Sequence, residues 1–182
     1  LLSVYFLQSL AMSCMEATLI LFVSDKFGWT YKEVSFGFAY IGVMMILTQG
    51  VLVRRLVPLL GERIVLVLGL ILFSVGLAGI GFSNNLTVLT AAMTVFAIGN
   101  GLSGPAALGS ISLLASEREQ GATLGVAQSM ASLGRIFGPI LGGALFGLSM
   151  SLPFWTSGLL GGICLLMVQS QYSALPNAGK LK

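Results

Sequence analysis

The sequence predicts an all-α membrane protein, a bundle of six transmembrane helices, and two observations carry that prediction. Of its 182 residues, 56% are hydrophobic and only 8% are charged, with a mean hydropathy of +0.98. A soluble domain carries about 25% charged residues, so this chain cannot cover a soluble surface, and its composition also excludes intrinsic disorder. The apolar residues form six continuous runs, each long enough to cross about 30 Å of hydrocarbon as a helix.

The six predicted spans are separated by short polar segments. Their approximate ranges are 1–24, 34–54, 63–82, 86–115, 121–148 and 153–172, and residues 173–182 form a predicted cytoplasmic tail. Thr30 and Glu33 have the spacing of a capping box before the second span, and Ser116 and Glu119 have it before the fifth. Such a box satisfies free backbone N–H groups at a helix start, so both pairs predict helix N-termini.

Lysine and arginine are distributed unequally between the two ends of the spans. An even number of spans places both termini on one side, and that side carries six basic residues: Arg54, Arg55, Arg63, Arg118, Lys180 and Lys182. The opposite side carries Lys26 and Lys32. The positive-inside rule therefore predicts cytoplasmic termini. No basic cluster is dense enough to indicate nucleic-acid binding.

The absence of histidine from the sequence excludes several classes of function. Imidazole proton relays and most zinc and haem sites need histidine, so we predict no metal, no cofactor and no enzymatic activity. The segment Gly101–Gly104 resembles the serine motif of rhomboid intramembrane proteases, but the histidine base that would activate Ser103 is missing. Cys14 and Cys164 lie in apolar runs and do not indicate a disulfide framework.

Two ionisable residues, Glu16 and Arg135, fall near the middle of predicted spans. Each costs at least about 2.5 kcal/mol at a helix centre unless it is paired or hydrated. The polar stripe that precedes Glu16 at helical spacing consists of Tyr5, Gln8, Ser9, Met12 and Ser13. This stripe predicts the wall of a cavity. Glu16 is the expected partner of Arg135, either in direct contact or through the cavity. A static ion pair and a role in substrate or proton binding both remain open.

The fourth span contains a cluster of residues that weaken a helix: Gly99, Asn100, Gly101, Ser103, Gly104 and Pro105. Proline removes a backbone hydrogen bond and glycine lowers helix propensity. The cluster predicts an interruption of the fourth span. Two interpretations are open, because a broken helix often lines a transporter binding site, whereas a kink can serve packing alone.

The fifth span carries a spaced pattern of small residues: Gly125, Gly134, Gly138, Pro139, Gly142 and Gly143. Small residues four apart let a neighbouring backbone approach closely. The pattern resembles the antiporter signature of the major facilitator superfamily. A second resemblance, to the basic loop of that family, is carried between the second and third spans by Gly50, Arg54, Arg55, Gly61, Glu62 and Arg63. The family's aspartate before the first arginine is absent here.

Further segments resemble the drug:proton antiporter branch, which includes tetracycline efflux pumps. They are Phe27–Trp29 with Glu33, and the stretch from Gly99 to Gly121, with Pro105, Glu117, Arg118 and Gln120. Together with the degenerate basic loop, they indicate the C-terminal six-helix half of such a transporter. The intact glycine–proline signature, which is strongest in the family's N-terminal half, points the other way.

The resemblance implies a fold, a mechanism and a set of site residues. Two six-helix halves rock around a central cavity and export a small molecule in exchange for protons, in the bacterial inner membrane. Substrate contacts come from Gln8, Met12, Glu16 and Asn100, with Arg135 on the same cavity. The Gly125–Gly143 pattern is a packing and hinge element, and the basic loop holds the cytoplasmic face.

The implied partners are a small-molecule substrate, protons, the lipid bilayer and the other six-helix half. Because the sequence begins at Leu1 without an initiator methionine, we expect it to be part of a longer polypeptide that contains that half. Two alternatives stay open: a half-size transporter in which a second copy supplies the other half, and a membrane scaffold or receptor that kept the fold and lost transport.

Overall fold

A computed structural model describes residues 1–116 and 118–170 of the chain. Within those ranges all regular secondary structure is helical, and six segments are long and apolar enough to cross a membrane. The predicted fold class is therefore confirmed. The elements are α1 (Leu2–Phe27), α2 (Tyr31–Leu47), a π-helical segment (Thr48–Val53), α3 (Arg54–Leu60), α4 (Glu62–Phe82), α5 (Leu86–Leu114), α6 (Gln120–Leu148) and α7 (Leu152–Ser170).

The turn between α1 and α2 contains the predicted capping box. Gly28 ends α1 in the left-handed conformation, at a φ of 66°, which glycine adopts without steric cost. The backbone N–H of Thr30 then donates to the Glu33 carboxylate at 2.7 Å, and the Thr30 hydroxyl donates to the same oxygen at 3.0 Å. This capping box starts α2 one residue after Thr30.

The basic segment after the second span is helical, which corrects the predicted loop. α2, the π-helical segment and α3 form one continuous helix from Tyr31 to Leu60, and the turn is confined to Gly61, at a φ of 83°. Leu56 and Val57 pack against a buried apolar cluster, so their burial favours continuation of the helix past Arg54 and Arg55.

The predicted interruption of the fourth span is also wrong. α5 runs without a break from Leu86 to Leu114 and contains Pro105 in its interior. Its glycines serve close packing instead, because an added Cβ at Gly99 would collide with the backbone of Phe73 on α4, and one at Gly101 would lie 2.9 Å from Thr48 Cβ. Helix-weakening residues are tolerated in spanning helices when neighbours pack against them.

The start of α6 differs from the predicted capping box. The Ser116 hydroxyl donates to the Glu119 carboxylate at 2.9 Å, but the helix begins at Gln120 with Glu119 as its N-cap. This hydrogen bond therefore closes a local turn ahead of the helix and does not cap it. The predictions for Glu117, for residues 171–172 of the sixth span and for the tail at 173–182, including Lys180 and Lys182, lie outside the described residues.

The helices pack as two groups joined through α7. α1 packs mainly on α6 and α7, and α4 packs mainly on α5 and α7, while α2 lies along α5. One buried cluster contains Phe22, Phe73, Phe96 and Phe154; a second surrounds Leu66. α1 and α5 touch over only a short stretch, so the polar faces of α1, α5 and α6 line an open wall.

Candidate cavity wall

Two adjoining cavities lie against α1, α5 and α6. The first measures about 220 Å³ and is lined by Tyr5, Gln8, Ser9, Met12, Met45, Asn100, Gly104 and Arg135. The second measures about 270 Å³ and is lined by Ser9, Met12, Ser13, Glu16 and Arg135. Because they share Ser9, Met12 and Arg135, they form one continuous wall. The structure therefore brings together all five predicted cavity residues: Gln8, Met12, Glu16, Asn100 and Arg135.

A network of amides and thioethers ties α1 to α5 at one end of this wall. Gln8 is only 4% exposed, and its Nε2 donates to Ser103 Oγ at 2.6 Å and to Asn100 Oδ1 at 3.3 Å. The Asn100 Nδ2 in turn lies 3.1 Å from Met12 Sδ and 3.8 Å from Met45 Sδ. The network fixes the orientation of the Asn100 amide beside the cavity.

Of the two charged residues, Glu16 lines the second cavity and Arg135 lines both. Glu16 and Arg135 are both exposed to the open side of the chain and line the same cavity. No salt bridge within 4.0 Å joins them in the ranges that the structure describes. The sequence left open whether they pair directly or through the cavity, and the structure has no direct salt bridge between them.

The glycine–proline pattern explains why Arg135 stands beside α1. An added Cβ at Gly134 would lie 2.8 Å from Leu10 N, one at Gly138 would lie 2.6 Å from Ser13 Cβ, and one at Gly142 would lie 2.9 Å from Cys14 O. These three glycines are four residues apart and line one face of α6. Close approach also allows the Ser13 hydroxyl to donate to the Arg135 carbonyl at 3.3 Å.

The remaining members of the pattern do not take part in that contact. Gly125 and Gly143 have open space where a Cβ would stand, and Pro139 lies within the helix without breaking it. The close contacts occur at Gly134, Gly138 and Gly142, the members of the pattern that are spaced four residues apart. The outer positions face away from α1, since they fall outside the period of four that starts at Gly134.

The basic segment lies apart from the cavity. Gly50 belongs to the π-helical segment, Arg54 and Arg55 begin α3, Gly61 forms the turn and Arg63 lies in the first turn of α4. None of these five residues lines either part of the cavity wall. All lie at or near the end of the bundle where the second span turns into the third.

Sequence reasoning missed two residues that contact the polar side chains of the wall, Ser103 and Met45. Ser103 holds Gln8, and its spacing of three from Asn100 put both side chains on one helix face, so that signal was available. Met45 contacts Asn100 from the second span. It lies in an apolar run without a polar neighbour, and nothing in the sequence distinguishes it from a lipid-facing or core methionine.

The sequence profile of the Major Facilitator Superfamily matches residues 1–176. The chain belongs to this superfamily. Among curated superfamily relatives, the chain is 33% identical over 171 residues to multidrug resistance protein 2 of Bacillus subtilis. It is 28% identical over 155 residues to the class B tetracycline resistance protein of Escherichia coli. These matches cover 91% and 85% of the chain but only 42% and 38% of the relatives.

A solved superfamily structure shows the same fold. The human organic anion transporter MFSD10 superposes with a TM-score of 0.86 at 24% sequence identity. The match covers 92% of this chain and 39% of the transporter. The chain thus spans about two fifths of the relatives that it matches, with the six-helix bundle as the matched unit.

Proposed function

We propose that this chain is one half of a secondary active transporter that exports drug-like or metabolite molecules in exchange for protons. The observation that carries the proposal is the cavity wall, where a carboxylate, a guanidinium and an ordered amide from three helices converge. A charge within a membrane-spanning helix is costly and typically marks a substrate or proton pathway. The relatives named for resistance to tetracycline and to multiple drugs support the choice of substrate class.

The other half closes the cavity in this proposal. Glu16 and Arg135 are exposed on a face that no described helix of the chain covers, and parallel six-helix repeats around a central site are a known transporter architecture. We place the chain as the C-terminal half, with both termini in the cytoplasm, on the basic-residue count and on the resemblance of its loops. The N-terminal half comes from the same polypeptide, or from a second copy of the chain.

Glu16 is the group that exchanges protons in this mechanism. A carboxylate in a cavity that opens alternately to each side takes a proton from one side and releases it to the other. Gln8 and Asn100 hold α1 against α5, while the glycine face of α6 holds Arg135 near Glu16. Rocking of the two halves then changes access to the wall without rebuilding it.

The proposal is tested with Glu16→Gln in the natural full-length protein, reconstituted into vesicles with an imposed pH gradient. Tetracycline and a quinolone serve as probes, because relatives are named for resistance to them. We expect the variant to lose probe-driven proton movement, since glutamine keeps the size of the side chain but cannot titrate. A melting curve in detergent and a single gel-filtration peak show whether the variant remains folded.

Glu119→Gln is the matched control, because Glu119 is a carboxylate at the start of α6 and away from the cavity. It should retain full coupled transport. Coupled transport by Glu16→Gln at the rate of the unmodified protein would contradict the proton role. Absence of transport by the unmodified protein, with binding intact, would instead favour a scaffold or receptor.

A further inference from the structure

Among the residues that the structure describes, the charged ones that line the cavity wall are the acidic Glu16 and the basic Arg135. The hydroxyl of Ser13 reaches the Arg135 carbonyl, so the arginine backbone is level with Ser13. Three residues of α-helix, or about 4.5 Å along the axis, separate Ser13 from Glu16. The two charges therefore face one cavity from positions about one helical turn apart.

Neither charge is neutralised by a direct partner within residues 1–116 and 118–170, where no salt bridge within 4.0 Å involves Glu16 or Arg135. A ligand with one positive charge is attracted by Glu16 and repelled by Arg135, and a ligand with one negative charge meets the reverse. A ligand that carries both charges gains from both residues. Once the other half closes the cavity, as proposed above, these attractions are stronger than in bulk water.

The other side chains of the wall suit such a ligand. The guanidinium plane of Arg135 matches a carboxylate with two parallel hydrogen bonds, and Ser9 and Tyr5 line the same part of the wall. Met12 and Met45 offer flexible thioethers, which adapt to an apolar ligand body. The wall thus combines a cation site, an anion site and an adaptable apolar surface.

Resting on the proposed function, we infer that the substrates of this cavity are zwitterions, with the ammonium held by Glu16 and the carboxylate held by Arg135. The cavity discriminates against molecules of the same shape that carry only one of these charges. The inference names a substrate class, which the relatives' resistance to drugs of several kinds leaves open.

Three compounds of one scaffold test the inference: norfloxacin, which is a zwitterion, its ethyl ester, which is a cation, and its N-acetyl derivative, which is an anion. Affinities are measured at equilibrium by calorimetry on the purified full-length protein in detergent. We expect norfloxacin to bind at least about tenfold more tightly than either derivative, the difference that one lost charge contact produces. Equal or tighter binding of a derivative, or no binding of any of the three, would overturn the inference.

Two variants test whether Glu16 and Arg135 cause the preference for norfloxacin over its two derivatives. Arg135→Gln should bind the ester as tightly as norfloxacin, and Glu16→Gln should bind the N-acetyl derivative as tightly as norfloxacin. Lys32→Gln, a charge change at the start of α2 and away from the cavity, should keep the original order. If Arg135→Gln and Glu16→Gln also keep the original order of affinities, the inference is wrong, even if the unmodified protein prefers norfloxacin.

These binding measurements are independent of transport, since they need no gradient. If the protein prefers the zwitterion but moves no protons, the proposed function is contradicted and the zwitterion inference is supported. Proton-coupled export of the ester in preference to norfloxacin would support the proposed function and contradict the zwitterion inference. A melting curve for each variant confirms that the affinities come from folded protein.

Discussion

Replacing Gly99 with alanine is expected to prevent the bundle from folding stably. The new Cβ would collide with the backbone nitrogen of Phe73 and would lie 2.6 Å from Leu72 C and 2.7 Å from Phe73 Cα. All three atoms belong to the backbone of α4, so no side-chain rotation relieves the overlap and the two helices must separate. Overpacking of a close-packed interior costs about 1–3 kcal/mol, occasionally more, and we place Gly99→Ala at or above the upper end.

The measurement is the midpoint of thermal unfolding of the full-length protein in detergent, together with the yield of monodisperse protein. Gly109→Ala is the matched control on the same helix, because its Cβ would meet nothing closer than Glu62 Cγ, at 3.6 Å. We expect the control to match or exceed the unmodified protein, since alanine favours a helix over glycine by about 1 kcal/mol. Equal stability of the two variants would contradict the packing role of Gly99.

The same glycine shows how far the sequence could predict this fold. Hydropathy alone gives six spans, because no soluble arrangement buries so much apolar surface, and the Thr30–Glu33 box marks a helix start from local chemistry. The effect of Gly99 could not be predicted locally. Glycine and Pro105 weaken an isolated helix, so the sequence predicts a break, whereas the contact with Phe73 on α4 turns that glycine into a packing site. Tertiary contact outweighs intrinsic propensity here.

The sequence identified the residues of the cavity wall better than it predicted the helix contacts that position them. Glu16 and Arg135 are identifiable because a charge in an apolar span calls for a partner or a cavity. Their separation across the cavity depends on the register of α1 against α6, which the Gly134–Gly142 face sets. Met45 contacts Asn100 from α2, ahead of the π-helical segment, and no sequence signal marked that contact. A π-helical turn changes the direction of later side chains, and no sequence signal placed one at Thr48–Val53.

Gly138→Ala is the second substitution with a large expected effect, and unlike Gly99→Ala it can be partly rescued. The added Cβ would lie 2.6 Å from Ser13 Cβ, 2.9 Å from Cys14 N and 3.0 Å from Leu10 O. The closest of these atoms belongs to a side chain, so Ser13→Gly removes it. We expect Gly138→Ala to lower the free energy of unfolding by about 2 kcal/mol, and the pair Gly138→Ala with Ser13→Gly to recover part of that loss.

A double-mutant cycle on thermal or denaturant unfolding measures the recovery, and Gly143→Ala is the control within the same pattern, because nothing lies within 4 Å of its Cβ. Additive effects of Gly138→Ala and Ser13→Gly would show that the two positions are not in contact. The substitution at Gly138 should also affect the cavity, because Arg135 lies on the same helix, directly after Gly134. Displacing α6 from α1 moves the guanidinium relative to Glu16, so Gly138→Ala should weaken norfloxacin binding, whereas Gly143→Ala should leave it unchanged.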